Sequence, residues 1–125
     1  MKFRSGDGIP LPLGHTQETE ALLLIGTSLS KYSEVKKIVA FGSRIRGDFH
    51  GDSDLDILIV LERIMSKDQI IHELHEIELD LDVSLAPVIL TEAEYRKNRD
   101  LGSSFISNVE REGLILYEID SGRQS

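Results

Sequence analysis

Short apolar runs in the middle of this chain predict two strands that lie between helices. Val35–Phe41 and Asp54–Leu61 are both short runs, and the second ends in five consecutive apolar residues, typical of a buried strand. Upstream, Thr16 predicts the N-cap of a helix that runs to about Lys31. The wide apolar run of this helix, Ala21–Ile25, leaves two interpretations open: a buried core helix, or a surface shared with another protomer or a partner.

The next pattern predicts a helix followed by a third strand. Ser66–Gln69 resembles a capping box, and the residues after it place Ile70, Ile71, Leu74 and Ile77 on one helical face. Leu79–Leu85 then alternates, so its leucines and valine share one face while Asp80, Asp82 and Ser84 share the other. We therefore predict a strand over Leu79–Leu85, with Pro87 at its end or on the edge of the sheet.

The C-terminal third predicts two more helices and a final strand. A capping box at Thr91–Glu94 opens a helix to about Asn98, and a second helix spans about Ser104–Glu112, with Phe105, Ile106 and Val109 on its inner face. Gly113 is expected at its C-terminal cap, before a strand from Leu114 that reaches toward Ile119. Strands alternating with helices indicate one α/β domain over residues 1–125, with an irregular arm over 1–14 and a frayed tail over 120–125.

Composition narrows the classes of function. The formal net charge is −8 and no basic stripe is present, which argues against a stable nucleic-acid complex. The chain has no cysteine, so it has neither disulfides nor thiolate metal sites, as expected in a reducing compartment. No signal-peptide pattern and no membrane-length apolar run are present. A cytoplasmic protein without membrane contact is the expectation.

Gly42 and Ser43 end the first predicted strand and carry the first candidate chemistry. Glycine allows a sharp turn and lets a ligand approach the backbone closely, and the hydroxyl of Ser43 can donate to a phosphate oxygen. If residues 44–47 turn helically, their free N–H groups form an anion site, and Arg44 and Arg46 add positive charge. This turn is therefore a candidate phosphate site.

Asp54 and Asp56 carry the second candidate chemistry. Because strand side chains alternate, both carboxylates point to one face, with their Cα atoms roughly 6.5 to 7 Å apart. Two like charges at the mouth of an apolar strand favour a hard divalent cation, and Mg²⁺ binds such oxygens together with substrate phosphates. A phosphate site beside a carboxylate pair predicts metal-assisted phosphoryl transfer.

These residues also resemble a known family. Gly42-Ser43, ten intervening residues and Asp54-x-Asp56, flanked by Phe41 and Ser53, resemble the signature of the DNA polymerase beta nucleotidyltransferase superfamily. More narrowly, roughly residues 35–118 are similar to the minimal nucleotidyltransferase (MNT) proteins. The resemblance implies the nucleotidyltransferase fold, a small mixed β-sheet with helices packed on one side. It also implies a third carboxylate on a neighbouring strand, which Asp82 matches best and Asp80 second best.

The resemblance further implies roles for individual residues. A nucleoside triphosphate such as ATP would be bound by a set comprising Gly42, Ser43, Arg44, Arg46 and Ser53. Asp54, Asp56 and Asp82 would be the catalytic and metal-binding residues, with Mg²⁺ or Mn²⁺ as cofactor. Asp82 would also hold a second metal ion or accept the proton of the attacking hydroxyl.

Stand-alone members of this family imply a function in toxin–antitoxin pairs. The nucleotidyltransferase acts as antitoxin and adds AMP to a tyrosine of a helical HEPN (higher eukaryotes and prokaryotes nucleotide-binding) partner. Two alternatives stay open. One is a nucleotide-binding module that silences its partner by contact alone, and the other is a small-molecule, antibiotic-type nucleotidyltransferase whose acceptor pocket forms in a homodimer.

Overall fold

The computed structural model describes residues 16–47 and 54–119. The predicted arm over 1–14 and tail over 120–125 fall outside these residues, so both stay predictions. Helices and strands follow one another in the order α1 (Thr16–Leu29), β1 (Val35–Phe41), α2 (Ser43–Arg46), β2 (Leu55–Leu61), α3 (Lys67–Leu81), β3 (Leu85–Thr91), α4 (Glu92–Asp100), α5 (Ser104–Glu112) and β4 (Leu114–Glu118).

The strands form one sheet in the order β3-β2-β1-β4. β1 is antiparallel to β2 and to β4, whereas β2 and β3 are parallel. Parallel neighbours need a crossover connection, and α3 supplies it between β2 and β3. The expected mixed sheet is therefore confirmed. Pro87 lies in β3, an outer strand of the described sheet, where a residue without a backbone N–H is tolerated.

β2 is buried on both faces of the sheet, which explains its unbroken apolar sequence. Ile57, Ile59 and Leu61 belong to the apolar cluster beneath α1 and α3. Leu58 and Val60 belong to the cluster on the opposite face, whose helical members come from α4 and α5: Tyr95, Ile106 and Val109. Helices thus cover both faces, which differs from the one-sided packing expected from the resemblance.

The wide apolar run of α1 serves mainly the core. Ala21, Leu22 and Ile25 are fully buried, and only Leu24 among the large apolar residues of this helix is exposed, at 39%. The buried-helix interpretation therefore describes most of this surface. None of the helices within the described ranges combines the length and the apolar character needed to cross a bilayer.

The strand predicted over Leu79–Leu85 is wrong. α3 continues to Leu81, and Asp82 ends it in the left-handed conformation, with φ 54° and its N–H donating to the carbonyl of Glu78. The helix buries Ile70, Leu74 and Ile77 at helical spacing, and this packing outweighs the short alternation that follows them. β3 begins only at Leu85, so neither Asp80 nor Asp82 lies on a strand.

The helix ends follow the sequence only in part. The capping box at Thr91 and Glu94 is confirmed in both its hydrogen bonds. Ser66, in contrast, makes no side-chain cap, and its own backbone N–H donates to Oε1 of Glu34 at 2.9 Å. Gly113 follows α5 as expected but in an extended conformation. No side chain fits at this position, because an added Cβ would lie 2.3 Å from Cγ1 of Val39.

Candidate active site

The turn after β1 depends on the conformation of Gly42. Its φ of 89° and ψ of −170° lie in a region that is essentially restricted to glycine. The chain then forms the single turn of α2, so the predicted Gly-Ser turn and helical turn are confirmed. The N–H groups of Ile45 and Arg46 both donate to the carbonyl of Gly42 at 3.0 Å. These two groups therefore do not supply the anion site that we expected from the helical turn.

Asp56 lies directly against Gly42. Phe41 and Asp56 are partners in the register of β1 and β2, which places the carboxylate beside the turn. A Cβ added to Gly42 would lie 2.1 Å from Oδ2 of Asp56, so a side chain at this position would displace the carboxylate. Position 42 thus needs glycine for two reasons, its φ angle and the proximity of Asp56. A phosphate bound at this turn would be adjacent to the carboxylate, as the sequence predicted.

Asp54 and Asp56 influence each other electrostatically. The pKa of Asp56 is raised, first by burial and then by the negative charge of Asp54, while the positive charge of Arg46 opposes the shift. Asp54 is oriented by Ser84, whose Oγ donates to Oδ1 of Asp54 at 2.6 Å. The other oxygen of Asp54 and the carboxylate of Asp56 are the oxygen donors that this pair offers to a cation.

A cavity of about 350 Å³ opens beside Gly42 and Asp56. Ser43 and Arg46 of α2 line it, together with Glu112 of α5. Nη1 of Arg46 donates to Oε1 of Glu112 at 3.3 Å, which holds the guanidinium in the cavity. The cavity therefore presents a hydroxyl, a cation and the carboxylates of Asp56 and Glu112 within one small volume. Such groups are typical of sites that bind a phosphate together with a metal ion.

Arg44 occupies a different place from the one predicted. It is buried and forms an ion pair with Glu18 of α1, and only 7% and 12% of the two side chains are exposed. The pair links α2 to α1 and compensates the arginine charge inside the protein. Arg44 thus stabilises the position of α2 against α1. Arg46 is the arginine that lines the cavity.

The third carboxylate is absent from the expected strand. Asp82 caps α3, Asp80 lies in the last turn of that helix, and the β3 residue paired with Asp56 is Ala86. Within residues 16–47 and 54–119, no three histidine, aspartate or glutamate side chains are grouped so that they could hold a metal ion. The predicted convergence of three acids on neighbouring strands is therefore wrong for the described residues, because α3 extends past Asp80.

Of the remaining residues near the cavity, Ser53 was predicted to belong to the site, whereas Phe105, Asn108 and Glu112 were not. Ser53 lies outside the described residues, so its predicted contact with the nucleotide stays a prediction. Phe105 was expected on the inner face of α5, but it is 36% exposed and lines the cavity with Asn108 and Glu112. No local pattern could reveal these three residues, because α5 meets the Gly42 turn only through the folded sheet. The alternation did place Ser84 on a polar face, but not against Asp54.

Residues 25–122 match the family model described as Polymerase beta, Nucleotidyltransferase. The chain belongs to this family. Two proteins of Methanocaldococcus jannaschii, both named "Putative protein adenylyltransferase", are similar to this nucleotidyltransferase. One is 38% identical over 89 residues, which is 70% of this chain and 85% of that protein. The other is 31% identical over 84 residues, or 65% of this chain and 78% of that protein. The resemblance to minimal nucleotidyltransferases is thus confirmed.

Two solved structures share the fold of the nucleotidyltransferase. The crystal structure of "a putative nucleotidyltransferase from Sulfolobus solfataricus" has a TM-score of 0.50 and 19% identity, covering 90% of this chain and 93% of that one. A mutant of the toxin–antitoxin pair MntA–HpeT has a TM-score of 0.50 and 17% identity, covering 86% of this chain and 76% of that one. At these identities the likeness concerns the fold alone, and it agrees with the mixed sheet described above.

Proposed function

We propose that this nucleotidyltransferase transfers AMP from ATP to a hydroxyl group on a partner protein. The observation that carries the proposal is the contact between Gly42 and Asp56, where an added Cβ would lie 2.1 Å from Oδ2. A triphosphate at the Gly42-Ser43 turn would place its phosphorus atoms beside the carboxylate pair. The names of the two archaeal relatives support adenylyl transfer to a protein as the reaction.

Different residues of the cavity would contact different parts of the triphosphate. Ser43 donates its hydroxyl to a phosphate oxygen, and Arg46 exchanges its bond with Glu112 for a phosphate. Gly42 allows the phosphate chain to approach the backbone. The predicted contact of Ser53 with the nucleotide belongs to the same proposal. Arg44 contributes through the position of α2 and makes no direct contact.

A divalent cation fits the donor set of Asp54 and Asp56. The raised pKa of Asp56 reflects burial and like charge, which a cation would offset. Mg²⁺ is commonly held by one or two carboxylates plus substrate phosphates, so the pair suits one Mg²⁺ or Mn²⁺ ion without Asp82. When bound, the ion would neutralise the triphosphate and polarise the reacting phosphoryl group. Ser84 holds Asp54 in place for this role.

The transfer step needs little from the protein besides position and charge. The hydroxyl oxygen of the acceptor forms a bond to the α phosphorus, the bond from that phosphorus to the bridging oxygen breaks, and pyrophosphate leaves. The hydroxyl proton passes to solvent. Asp54 and Asp56 would hold the cation, whose charge would stabilise the leaving pyrophosphate.

The partner that we propose is a small helical protein of the HEPN type, with a tyrosine as acceptor. This follows from the resemblance to stand-alone minimal nucleotidyltransferases. One solved relative of the same fold is half of a toxin–antitoxin pair, which is in keeping with the proposal. The net charge of −8 would favour a partner with a basic surface.

Two ATP labels test the reaction. The purified chain, Mg²⁺ and the candidate partner are incubated with ATP labelled at the α or at the γ phosphorus, and the proteins are separated by electrophoresis. We expect label on the partner from the α position only, with at least a 100-fold loss in Asp54→Asn and Asp56→Asn. Label from the γ position, or full transfer by the Asn variants, would disprove adenylyl transfer at this site.

One observation favours a second candidate function, silencing of the partner by contact alone. The described residues bring two carboxylates together where the family implies three, and Ala86 faces Asp56 from β3. If the Asp54→Asn and Asp56→Asn variants still neutralise the partner without transferring label, the chain acts as a binding module. Loss of neutralisation in these folded variants would instead support the enzyme.

A further inference from the structure

The lining of the cavity beside Gly42 is of two chemical kinds. Ser43, Arg46, Asp56 and Glu112 provide polar and charged groups, and we place the phosphates beside the first two. Phe41 and Phe105 add aromatic side chains, and Asn108 adds an amide. The volume of about 350 Å³ lies within the range of small-molecule sites. A nucleotide combines the same two kinds of group, a charged phosphate chain and a flat ring with polar edges.

Phe105 is available to a ligand although it is a large apolar residue. Its side chain is 36% exposed, and its ring packs edge-to-face against Phe41, with centroids 5.4 Å apart and an interplanar angle of 80°. This contact fixes the orientation of the two rings. Part of the ring surface still faces the cavity. Stacking of a base on such an aromatic ring contributes about 1 to 3 kcal/mol by alanine substitution.

The helix that carries Phe105 is held firmly. Ser103 caps its first turn by accepting from the N–H of Ile106 at 3.2 Å. Ile106 and Val109 are 1% and 2% exposed and belong to the apolar cluster under α4 and α5. A platform on an anchored helix loses little freedom when a ligand binds, which favours affinity.

Asn108 follows Phe105 by three residues, so the two side chains are neighbours on the helix surface. Oδ1 of Asn108 accepts from Nη2 of Arg111 at 2.6 Å, which fixes the orientation of the amide. The amide NH₂ group is then the one that can donate into the cavity. Ring nitrogens and carbonyl oxygens on the edge of a base are suitable acceptors.

We propose that Phe105 and Asn108 form the nucleobase subsite of this nucleotidyltransferase. Phe105 stacks on the base, and Asn108 donates to an acceptor on its edge. Purines stack over a larger area than pyrimidines, so purine nucleoside triphosphates are the preferred class of substrate. The inference depends on the proposed function, since it extends the phosphate site at Gly42 and Ser43.

Calorimetric titration with two probes separates base binding from phosphate binding. The probes are a non-hydrolysable ATP analogue and inorganic tripolyphosphate, each with Mg²⁺. We expect Phe105→Ala to weaken binding of the ATP analogue about 5- to 150-fold and to leave binding of tripolyphosphate unchanged. Phe105→Leu, which keeps apolar bulk, should fold normally and weaken the analogue in the same selective way. Phe105→Tyr should bind like the natural chain.

A matched control and a second variant sharpen the test. Leu101→Ala removes another exposed apolar residue, 74% exposed, and should change neither titration. Asn108→Ala should weaken binding of the ATP analogue and leave binding of tripolyphosphate unchanged. Equal weakening of both probes by Phe105→Leu, no weakening by either Phe105 variant, or tighter binding of UTP than ATP by the natural chain would overturn the inference.

The same titrations distinguish failure of the inference from failure of the proposed function. Ser43→Ala and Arg46→Met should weaken both tripolyphosphate and the ATP analogue, because they act on the phosphates. If these variants bind both probes normally, the phosphate site is wrong, and the nucleobase subsite is overturned with it. If they weaken both probes while the Phe105 variants bind normally, only the subsite is wrong.

Discussion

At the scale of single residues, Gly42 and Asp56 limit which side chains the other position can carry, because the carboxylate of Asp56 lies against the backbone of Gly42. The backbone at Gly42 adopts φ 89°, and the carboxylate of Asp56 fills the space where a side chain would begin. Gly42 and Asp56 also both line the cavity. Substitutions at these two positions should therefore affect stability and nucleotide binding in separable ways.

Replacing Gly42 by alanine should destabilise the fold more than the φ angle alone requires. Gly102, with φ 79° and nothing within 4 Å of an added Cβ, provides the matched control. We expect Gly102→Ala to lower the free energy of unfolding by about 1 to 2 kcal/mol. Gly42→Ala should lower it by about 1 to 3 kcal/mol more, because of the contact with Asp56. Urea unfolding measures both values.

The double variant Gly42→Ala, Asp56→Ala gives the decisive comparison for this pair. Removing the carboxylate opens the space, so part of the additional loss should be recovered. Equal losses in the Gly42 and Gly102 variants, with no coupling to Asp56, would contradict the close approach of the two residues.

Replacing Asp56 by asparagine should raise stability while it removes activity. Because the pKa of Asp56 in the folded state lies above the ordinary value of 3.8, the folded protein binds this proton more tightly than the unfolded chain does. The penalty of ionisation is therefore present above the raised pKa and is relieved as the pH falls toward 3.8. The unfolding free energy of Asp56→Asn should exceed that of the natural chain at pH 7.

Urea unfolding between pH 4 and pH 7, without divalent ions, measures this difference. It should shrink as the pH falls, since protonation neutralises Asp56 in the natural chain. Asp54→Asn serves as the comparison at a more exposed position. A difference that does not change with pH would contradict the assignment of the shift to Asp56.

At the scale of elements, the two arginines of α2 have different roles: Arg44 links the helix to α1, and Arg46 lines the cavity. Arg44 pairs with Glu18 of α1 in the interior, whereas Arg46 pairs with Glu112 of α5 at the cavity, with 43% and 30% of these side chains exposed. The two residues lie in one turn of helix and differ mainly in burial. They should therefore differ in what their removal changes.

Arg44→Met should cost about 3 to 5 kcal/mol of stability, because it leaves Glu18 charged and buried. Adding Glu18→Gln should recover much of this loss. Arg46→Met should cost less than about 1 kcal/mol, since its ion pair is exposed, but should weaken binding of the ATP analogue. Urea unfolding and calorimetry of the three variants test this division. Similar stability losses for the two arginines would refute it.

Local sequence patterns predicted most elements, and the errors occur where distant contacts decide. β1, β2, α5 and the capping box of α4 follow from apolar runs and caps that lie within a few residues. The seven residues from Leu79 alternate as a strand would, but α3 keeps three of them because its buried face is already established upstream. A short alternation cannot reveal how far a preceding helix extends.

The site shows the same limit. Gly42, Ser43 and the Asp54–Asp56 pair were identifiable because their chemistry is encoded in adjacent residues. The burial of Arg44 was not, because Glu18 lies 26 positions earlier in the chain. Phe105, Asn108 and Glu112 reach the cavity only after α5 packs across β1. Sequence patterns therefore indicated the Gly42-Ser43 turn and the carboxylate pair, but not the wall of the cavity that α5 provides.

At the scale of the whole molecule, charge should couple nucleotide binding to metal. The chain carries a formal charge of −8, and the adjacent carboxylates of Asp54 and Asp56 add to the negative field that a triphosphate would meet. A divalent cation reverses the local balance at Asp54 and Asp56. Nucleotide and cation should therefore bind more tightly together than either does alone.

Thermal unfolding with a non-hydrolysable ATP analogue measures this coupling. With Mg²⁺ and analogue at about 100 times the dissociation constant, stabilisation of about 2.7 kcal/mol is expected. The analogue in EDTA, or Mg²⁺ alone, should stabilise much less. The variant Asp54→Asn, Asp56→Asn should lose the Mg²⁺ dependence. Equal stabilisation in EDTA and in Mg²⁺ would show that nucleotide binding does not depend on the carboxylate pair.

The proline of β3 has a consequence for aggregation. An incoming strand extends a sheet through an uninterrupted ladder of backbone donors and acceptors, and Pro87 removes one donor from this outer strand. Continuous stacking of copies into fibrils needs two sheet edges per molecule that can each pair with a strand of another copy. With one of them interrupted, added strands are directed to β4, where growth would stop after a single pairing of two copies.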